Sequence, residues 1–301
     1  MNRNKKWVSA MRLRTLPLSI SGIFVGSCLA YYNGYFNVFI FIFATTTTLA
    51  FQILSNLAND YGDGVKGTDN NERIGPERAI QSGAISANAM LDAIKTTVMI
   101  TIFSSLALVY AAFEFSYFLY AFIFICLAAF AIYAALTYTI GESPYGYKGL
   151  GDVYVFAFFG ILSVVGTYFL NTKQLDHVVI LPAISVGLLS VGVLNLNNMR
   201  DIESDEKSEK MTMAVKFGKD KAKQYHLFLI ISAMVASVLF SILYYSSPYN
   251  FIFYFTFIPL IFHIKSVVKA KQPSEYDPQL KVLALTTFFF AILLGVGQVI
   301  Y

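Results

Sequence analysis

Long apolar stretches recur along this chain, and polar residues gather in the gaps between them. Nine such stretches can be read, at about 15–33, 36–57, 90–112, 116–139, 151–170, 178–198, 224–246, 249–268 and 281–300. Each approximates the roughly 20 residues a helix needs to cross a bilayer. The pattern predicts an all-α membrane protein, a bundle of nine transmembrane helices. The gaps are unequal. Those at 32–35, 113–115, 171–177 and 246–248 are short, whereas those at 60–88 and 200–223 are long and polar. The two long gaps follow the second and sixth spans, on one side of the membrane. A functional site is expected on that side.

The charges orient the bundle. With the N-terminus placed in the cytoplasm, only Lys173 of the 22 Lys and Arg residues falls outside. Arg3, Lys5, Lys6, Arg12 and Arg14 precede the first span, and seven more lie between Arg200 and Lys223. This is the bias of the positive-inside rule. It puts both long loops, and the expected active site, on the cytoplasmic side. Composition agrees: 56% of the residues are hydrophobic and 13% are charged, against about 25% charged in soluble domains. No long polar tract separates a second domain, so residues 1–301 are expected to form one membrane domain, with the first span retained rather than cleaved. Cys28 and Cys126 lie within spans. They and the scattered His177, His226 and His263 form no metal motif and are expected to pack. No nucleic-acid partner is expected.

Two acidic clusters, about 140 residues apart, mark the ends of spans two and six. The first contains Asn56, Asn59, Asp60 and Asp63, and the second Asn197, Asn198, Arg200, Asp201, Glu203 and Asp205. Carboxylates beside membrane helices are costly and are associated with function. On a helix, Gln52, Asn56, Asp60 and Asp63 share one face, and Asn197, Asn198, Asp201 and Asp205 follow the same helical logic. Both spans run from outside to inside, so the acidic ends reach one depth. Facing one another, they offer the hard oxygen ligands that Mg²⁺ prefers, to be completed by water and substrate phosphates. Four or five aspartates would roughly balance two Mg²⁺ and one diphosphate.

Basic groups lie near the same face: Arg73, Arg78, Lys148, Arg200 and Lys210. Such groups can clamp charge on a leaving phosphate. The 62–83 loop carries Gly62, Gly64, Gly67, Gly75 and Gly83, which permit close backbone approach to a ligand, and Ser86 is placed to cap the helix resuming at about 87. The loop after span four brings Tyr138, Tyr145, Tyr147, Lys148 and Asp152 together in a glycine-rich setting. Tyrosine faces can stabilise a carbocation, although tyrosines are also common at membrane interfaces. The carboxylates alone also fit solvated loop charges or a cation-coupled transporter. A transporter does not explain the basic neighbours, and its acids belong at mid-bilayer rather than at helix ends.

These segments resemble the UbiA superfamily of intramembrane aromatic prenyltransferases, over essentially the whole chain. The matching pattern is Asn56-x-x-x-Asp60-x-x-Asp63 after span two and Asp201-x-x-x-Asp205 after span six. The finer resemblance is to the branch that prenylates 1,4-dihydroxy-2-naphthoate. It rests on Arg12-Leu-Arg14-Thr-Leu-Pro17, Asn59-Asp60-Tyr61-x-Asp63 with Gly67-x-Asp69, Gly75-Pro76, Lys148-Gly-Leu-Gly151-Asp152 and Asn197-Asn198-x-Arg200-Asp201. One departure is Met211, where that branch usually has Arg.

The resemblance implies transfer of a polyprenyl group from polyprenyl diphosphate to 1,4-dihydroxy-2-naphthoate. CO₂ and diphosphate are lost, and menaquinone biosynthesis in the bacterial cytoplasmic membrane is the setting. It implies Mg²⁺, two ions, held by Asp60, Asp63, Asp201 and Asp205. Lys148, Asp60, Asp201 and Tyr145 become candidate catalytic residues. Asn56, Asn59, Arg73, Arg78, Asn198, Arg200, Lys210, Tyr138 and Arg14 become candidate substrate contacts, with the prenyl tail in a groove open to lipid. Other acceptors in the same class are 4-hydroxybenzoate, homogentisate and haem.

Overall fold

The computed structural model describes residues 3–68 and 74–300, and among them it contains helices and turns but no strand. A short helix, α1 (Arg3–Met11), is separated from α2 (Leu16–Tyr32) by a break at Arg12, whose φ is 49°. Pro17 sits in the first turn of α2, where its missing N–H costs no helical bond. Then come α3 (Val38–Lys66), α4 (Ala87–Phe113) and α5 (Phe118–Thr137). The fifth span is composite: α6 (Gly151–Val155), a π-helical stretch Phe156–Gly166, and α7 (Thr167–Thr172). The chain continues through α8 (Ile180–Arg200), α9 (Ile202–Lys207) and α10 (Met213–Leu243). A tight helical segment, Pro248–Thr256, leads into α11 (Phe257–Lys269), and α12 (Tyr276–Val299) ends the bundle.

Eight helical segments among the described residues are long and apolar enough to cross a membrane, and a ninth appears if the bent pair α1–α2 counts as one span. The first expected span corresponds to α2, which has 17 residues and meets α1 at 49°. Several helices outrun their apolar stretches. α3 has 29 residues, about 43 Å at 1.5 Å per residue, against a hydrocarbon core of about 30 Å. Its last turns therefore reach polar surroundings while remaining helical. Asn37 caps its start by accepting from the amides of Phe39 and Ile40, and Gly67 ends it in the left-handed conformation. Ser86 caps α4 through the Ala89 amide, as its position predicts.

α8 is the central helix. Of its apolar window 61% is buried, against 11% for α5, which faces outward. It packs on α6, the π-helical stretch, α10 and α12. Small residues permit the closest crossing: a Cβ on Gly160 would lie 2.6 Å from the Ala183 carbonyl oxygen and 2.8 Å from Gly187 Cα. Without water to drive association, close van der Waals contact of this kind holds helices together in lipid. The main core joins Val25 of α2, Val164 of the π-helical stretch, Leu189 of α8, Ile230 of α10 and Phe290 of α12. A second cluster joins Leu54 and Leu57 of α3, Met90 of α4 and the loop residues Ala79 and Ile85. It fixes the long first loop against the polar end of α3.

Candidate active site

The last turns of α3 carry the first acidic cluster, and the end of α8 with α9 carries the second. The structure brings them together. Lys210 Nζ lies 3.0 Å from Asp63 Oδ2 and 4.0 Å from Asp205 Oδ1, joining residues 147 positions apart. Asp63 also accepts a 2.8 Å hydrogen bond from Tyr147, whose hydroxyl is 2.6 Å from Thr68 Oγ1. The Lys210 ammonium lies 5.4 Å from the Tyr147 ring centre, and that of Lys66 lies 4.8 Å from it. Burial alone would lower the pKa of Lys210, but Asp63 and Asp205 outweigh it and raise it above the usual lysine value. Burial, and then Asp63, raise the Tyr147 phenol. A cavity of about 20 Å³ lies here, lined by Asp63, Thr68, Arg78, Asn197, Asp201, Ser204, Asp205 and Lys210. That is room for a water or a small ion.

The other aspartates are held more firmly. Asp60 is 1% exposed, and its two oxygens accept from the amides of Ala79 and Ile80, each at 3.2 Å. It pins the first loop and is not among the residues lining the cavity. The α8 helix stops at Arg200, and Asp201 stands at the break before α9 with φ −98° and ψ 11°. Arg200 forks onto both Asp201 oxygens, at 2.8 and 2.7 Å, and bonds Asp277 of α12 at 2.5 Å and Asn197 at 2.9 Å. Only 1% of its surface is exposed. Arg200 therefore holds a protein carboxylate in place rather than facing open space.

The face of α8 that meets the cavity differs from the expected one. Asn197 lines the cavity with Asp201 and Asp205, whereas Asn198 is buried and is not among its lining residues. Asn56 donates to the Met11 carbonyl at 3.0 Å and to Thr15 at 3.4 Å, tying α3 to the α1–α2 bend. Asn59 accepts a 3.4 Å bond from Thr139. Arg78 lines the cavity. Arg73 lies outside the described residues, as does the Arg14 side chain.

The loop after α5 docks beside the second cluster. The Tyr147 carbonyl accepts from the Met211 amide at 3.0 Å, and the Lys148 carbonyl accepts from Lys216 Nζ at 2.6 Å. The Lys148 side chain itself is exposed and outside the cavity. Tyr145 stacks on Tyr154 with centres 4.0 Å apart and meets Tyr138 edge-on at 5.2 Å. Tyr147, Thr68, Ser204 and Asp277 are the participants that sequence spacing missed. Tyr147 stood among the loop tyrosines with nothing to single it out, and Asp277 lies in another helix altogether.

The cavity residues offer hard oxygens: carboxylates, an amide and hydroxyls. Among the described residues no three acidic, His or Cys groups converge into a finished metal cage. Hard oxygens are what Mg²⁺ takes, with water and phosphate oxygens completing its shell.

Residues 19–296 match the model of the UbiA prenyltransferase family. A Haemophilus influenzae protein named 1,4-dihydroxy-2-naphthoate octaprenyltransferase is 43% identical, over 98% of this chain and 96% of its own. An Escherichia coli protein of the same name is 39% identical over 99% and 97%. The apo structure of a UbiA homolog from Aeropyrum pernix superposes with a TM-score of 0.69 at 16% identity, over 95% of this chain and 97% of that one. A fold matched end to end and relatives alike over nearly their whole length lead to one conclusion: the chain belongs to the UbiA prenyltransferase family.

Proposed function

We propose that this protein transfers a polyprenyl group from polyprenyl diphosphate to 1,4-dihydroxy-2-naphthoate, releasing CO₂ and diphosphate. The observation that carries the reading is the meeting of two acidic helix ends in one cavity, bridged by Lys210. The names of the relatives support the acceptor. Asp63, Asp201 and Asp205 would hold Mg²⁺ with Asn197 beside them, and Asp60 holds the first loop over the site. When bound, two Mg²⁺ would neutralise the diphosphate and make it a better leaving group. Lys210, freed from Asp63, turns its ammonium to the leaving oxygens, with Arg78 alongside. Arg200 keeps Asp201 oriented. The tyrosines after α5 present ring faces to the allylic cation, and the apolar tail lies along the bundle where water is excluded.

The charge distribution supports an N-terminus in the cytoplasm, nine spans with α1–α2 as the first, and a site opening to the cytoplasmic side of a bacterial inner membrane. Two measurements check the reading. Purified protein given Mg²⁺, polyprenyl diphosphate and competing aromatic acceptors should prenylate dihydroxynaphthoate over 4-hydroxybenzoate. Asp63→Ala and Asp205→Ala should each reduce diphosphate release by about 100-fold or more, the range for lost electrostatic stabilisation at a reacting group. Full activity in both variants would refute the site.

A further inference from the structure

One buried carboxylate lies outside both acidic clusters. Asp152 is 7% exposed and opens the first turn of α6. Its described partner is the hydroxyl of Tyr225 on α10, which donates to Asp152 Oδ2 at 2.9 Å. No lysine or arginine forms an ion pair with it among the described residues. A buried carboxylate with a single side-chain donor is costly to keep charged. It also has lone pairs left for a ligand.

Its surroundings place it beside the reaction. A Cβ on the preceding residue, Gly151, would lie 3.2 Å from the Tyr138 hydroxyl. Burial pushes the Tyr138 phenol up to about 12, and its neighbouring charges are Lys210, Asp63, Asp152 and Asp205 together. Tyr138 thus lies against the start of α6 and meets Tyr145, which shares the turn Tyr145–Lys148 with Tyr147, the phenol bonded to Asp63. Two residues beyond Asp152, Tyr154 stacks with Tyr145, which meets Tyr138 edge-on. Three aromatic rings thus stand between the start of α6, where Asp152 lies, and the turn whose Tyr147 reaches Asp63. A flat hydroxyarene needs such a surface: a ring face to lie against and a base at its hydroxyl.

We infer that Asp152 is the general base for the hydroxyarene acceptor, which lies against the Tyr138–Tyr145–Tyr154 wall with one hydroxyl on the Asp152 carboxylate. This rests on the prenyl transfer proposed above. The acceptor hydroxyl gives its proton to Asp152 as the ring carbon bearing the carboxylate bonds to the allylic carbon. The allylic C–O bond breaks, and its electron pair leaves with diphosphate. The hydroxyl carbon becomes a ketone, β to the carboxylate. CO₂ then departs, leaving its bonding pair in the ring as an enolate, and Asp152 returns the proton to the enolate oxygen. Atoms and electrons balance with no external oxidant or base. Tyr225 steadies the carboxylate in its ionised form between these steps.

The test compares wild type, Asp152→Asn and Tyr225→Phe with purified protein, Mg²⁺, polyprenyl diphosphate and dihydroxynaphthoate. Asp152→Asn should lower kcat by about 100-fold or more, the contribution of a positioned base. The KM for polyprenyl diphosphate, and Mg²⁺-dependent binding of that substrate, should stay within about twofold. Tyr225→Phe should raise the KM for dihydroxynaphthoate several-fold and leave that for the diphosphate unchanged. Asp152→Asn turning over within threefold of wild type would overturn the assignment. If that variant does not fold, an unchanged acceptor KM in Tyr225→Phe overturns it instead. A wild-type protein that forms no product with dihydroxynaphthoate refutes the functional reading rather than the role of Asp152.

Discussion

Lys210 is a cation held between carboxylates that belong to separate helices. Removing it takes away the ammonium that lies between Asp63 and Asp205, while Asp63 keeps its bond from Tyr147. Lys210→Met should therefore destabilise the apo protein, by about 3 kcal/mol on the scale of a broken buried pair. Mg²⁺ should raise the melting temperature of this variant, followed in detergent, more than that of wild type, because the ion replaces the lost ammonium. Equal Mg²⁺ shifts would contradict the bridge. The sign of its pH dependence follows from the raised pKa. The Lys210 contribution is complete below the unfolded lysine value of about 10.4 and fades only as pH rises through the higher folded value. Between pH 6 and 9 it should stay constant, so the difference in melting temperature between wild type and Lys210→Met should not change across that window. At this scale the acidic residues were legible because charge beside a membrane is costly. Lys210 was legible as a basic neighbour, but its bridge to Asp63 and the roles of Tyr147 and Asp277 were not, because they arise from tertiary packing that no local spacing encodes.

Helix ends, more than helix middles, build the site. The apolar pattern located the spans, but it marks where hydrocarbon lies and not where helical hydrogen bonding stops. α3 thus continues to Lys66 and carries Asp60 and Asp63 on a rigid extension. α8 ends at Arg200, and it is Asn197 rather than Asn198 that lines the cavity with Asp201 and Asp205. The π-helical stretch and its close passage over α8 were equally invisible, since glycines within an apolar run do not announce a crossing. Gly160→Ala should push α8 away and lower stability by about 1–3 kcal/mol, the usual cost of overpacking, measurable as a lower melting temperature with the same helical content. α12 contributes at its first turn, where Asp277 receives Arg200. Asp277→Ala should loosen Arg200 and hence Asp201, raising the Mg²⁺ concentration for half-maximal activity several-fold while the acceptor KM stays constant. An unchanged Mg²⁺ requirement would show that Arg200 holds Asp201 unaided.

The whole molecule is a bundle organised around α8, with its chemistry gathered where α3, α8, α9 and the loop after α5 converge. The span pattern and the two acidic helix ends could be read from the sequence, and so could the family, because the Asn-Asp-Tyr-x-Asp segment is far more specific than an isolated aspartate pair. The closed state of the cavity could not, since it depends on a lysine bridging two distant segments. A cavity of about 20 Å³ is smaller than the proposed diphosphate. Binding of Mg²⁺ with polyprenyl diphosphate should therefore alter proteolytic cleavage within 200–223, whereas Mg²⁺ alone should have a smaller effect. The most direct measurement is the mass of the lipid product formed by the purified protein from Mg²⁺, all-trans polyprenyl diphosphate and 1,4-dihydroxy-2-naphthoate. The expected product is a prenylated naphthoquinol that has lost the acceptor carboxylate, absent when Mg²⁺ is chelated and absent with Asp201→Ala. Diphosphate release with no such product, or the same product from Asp201→Ala, would contradict the proposed function.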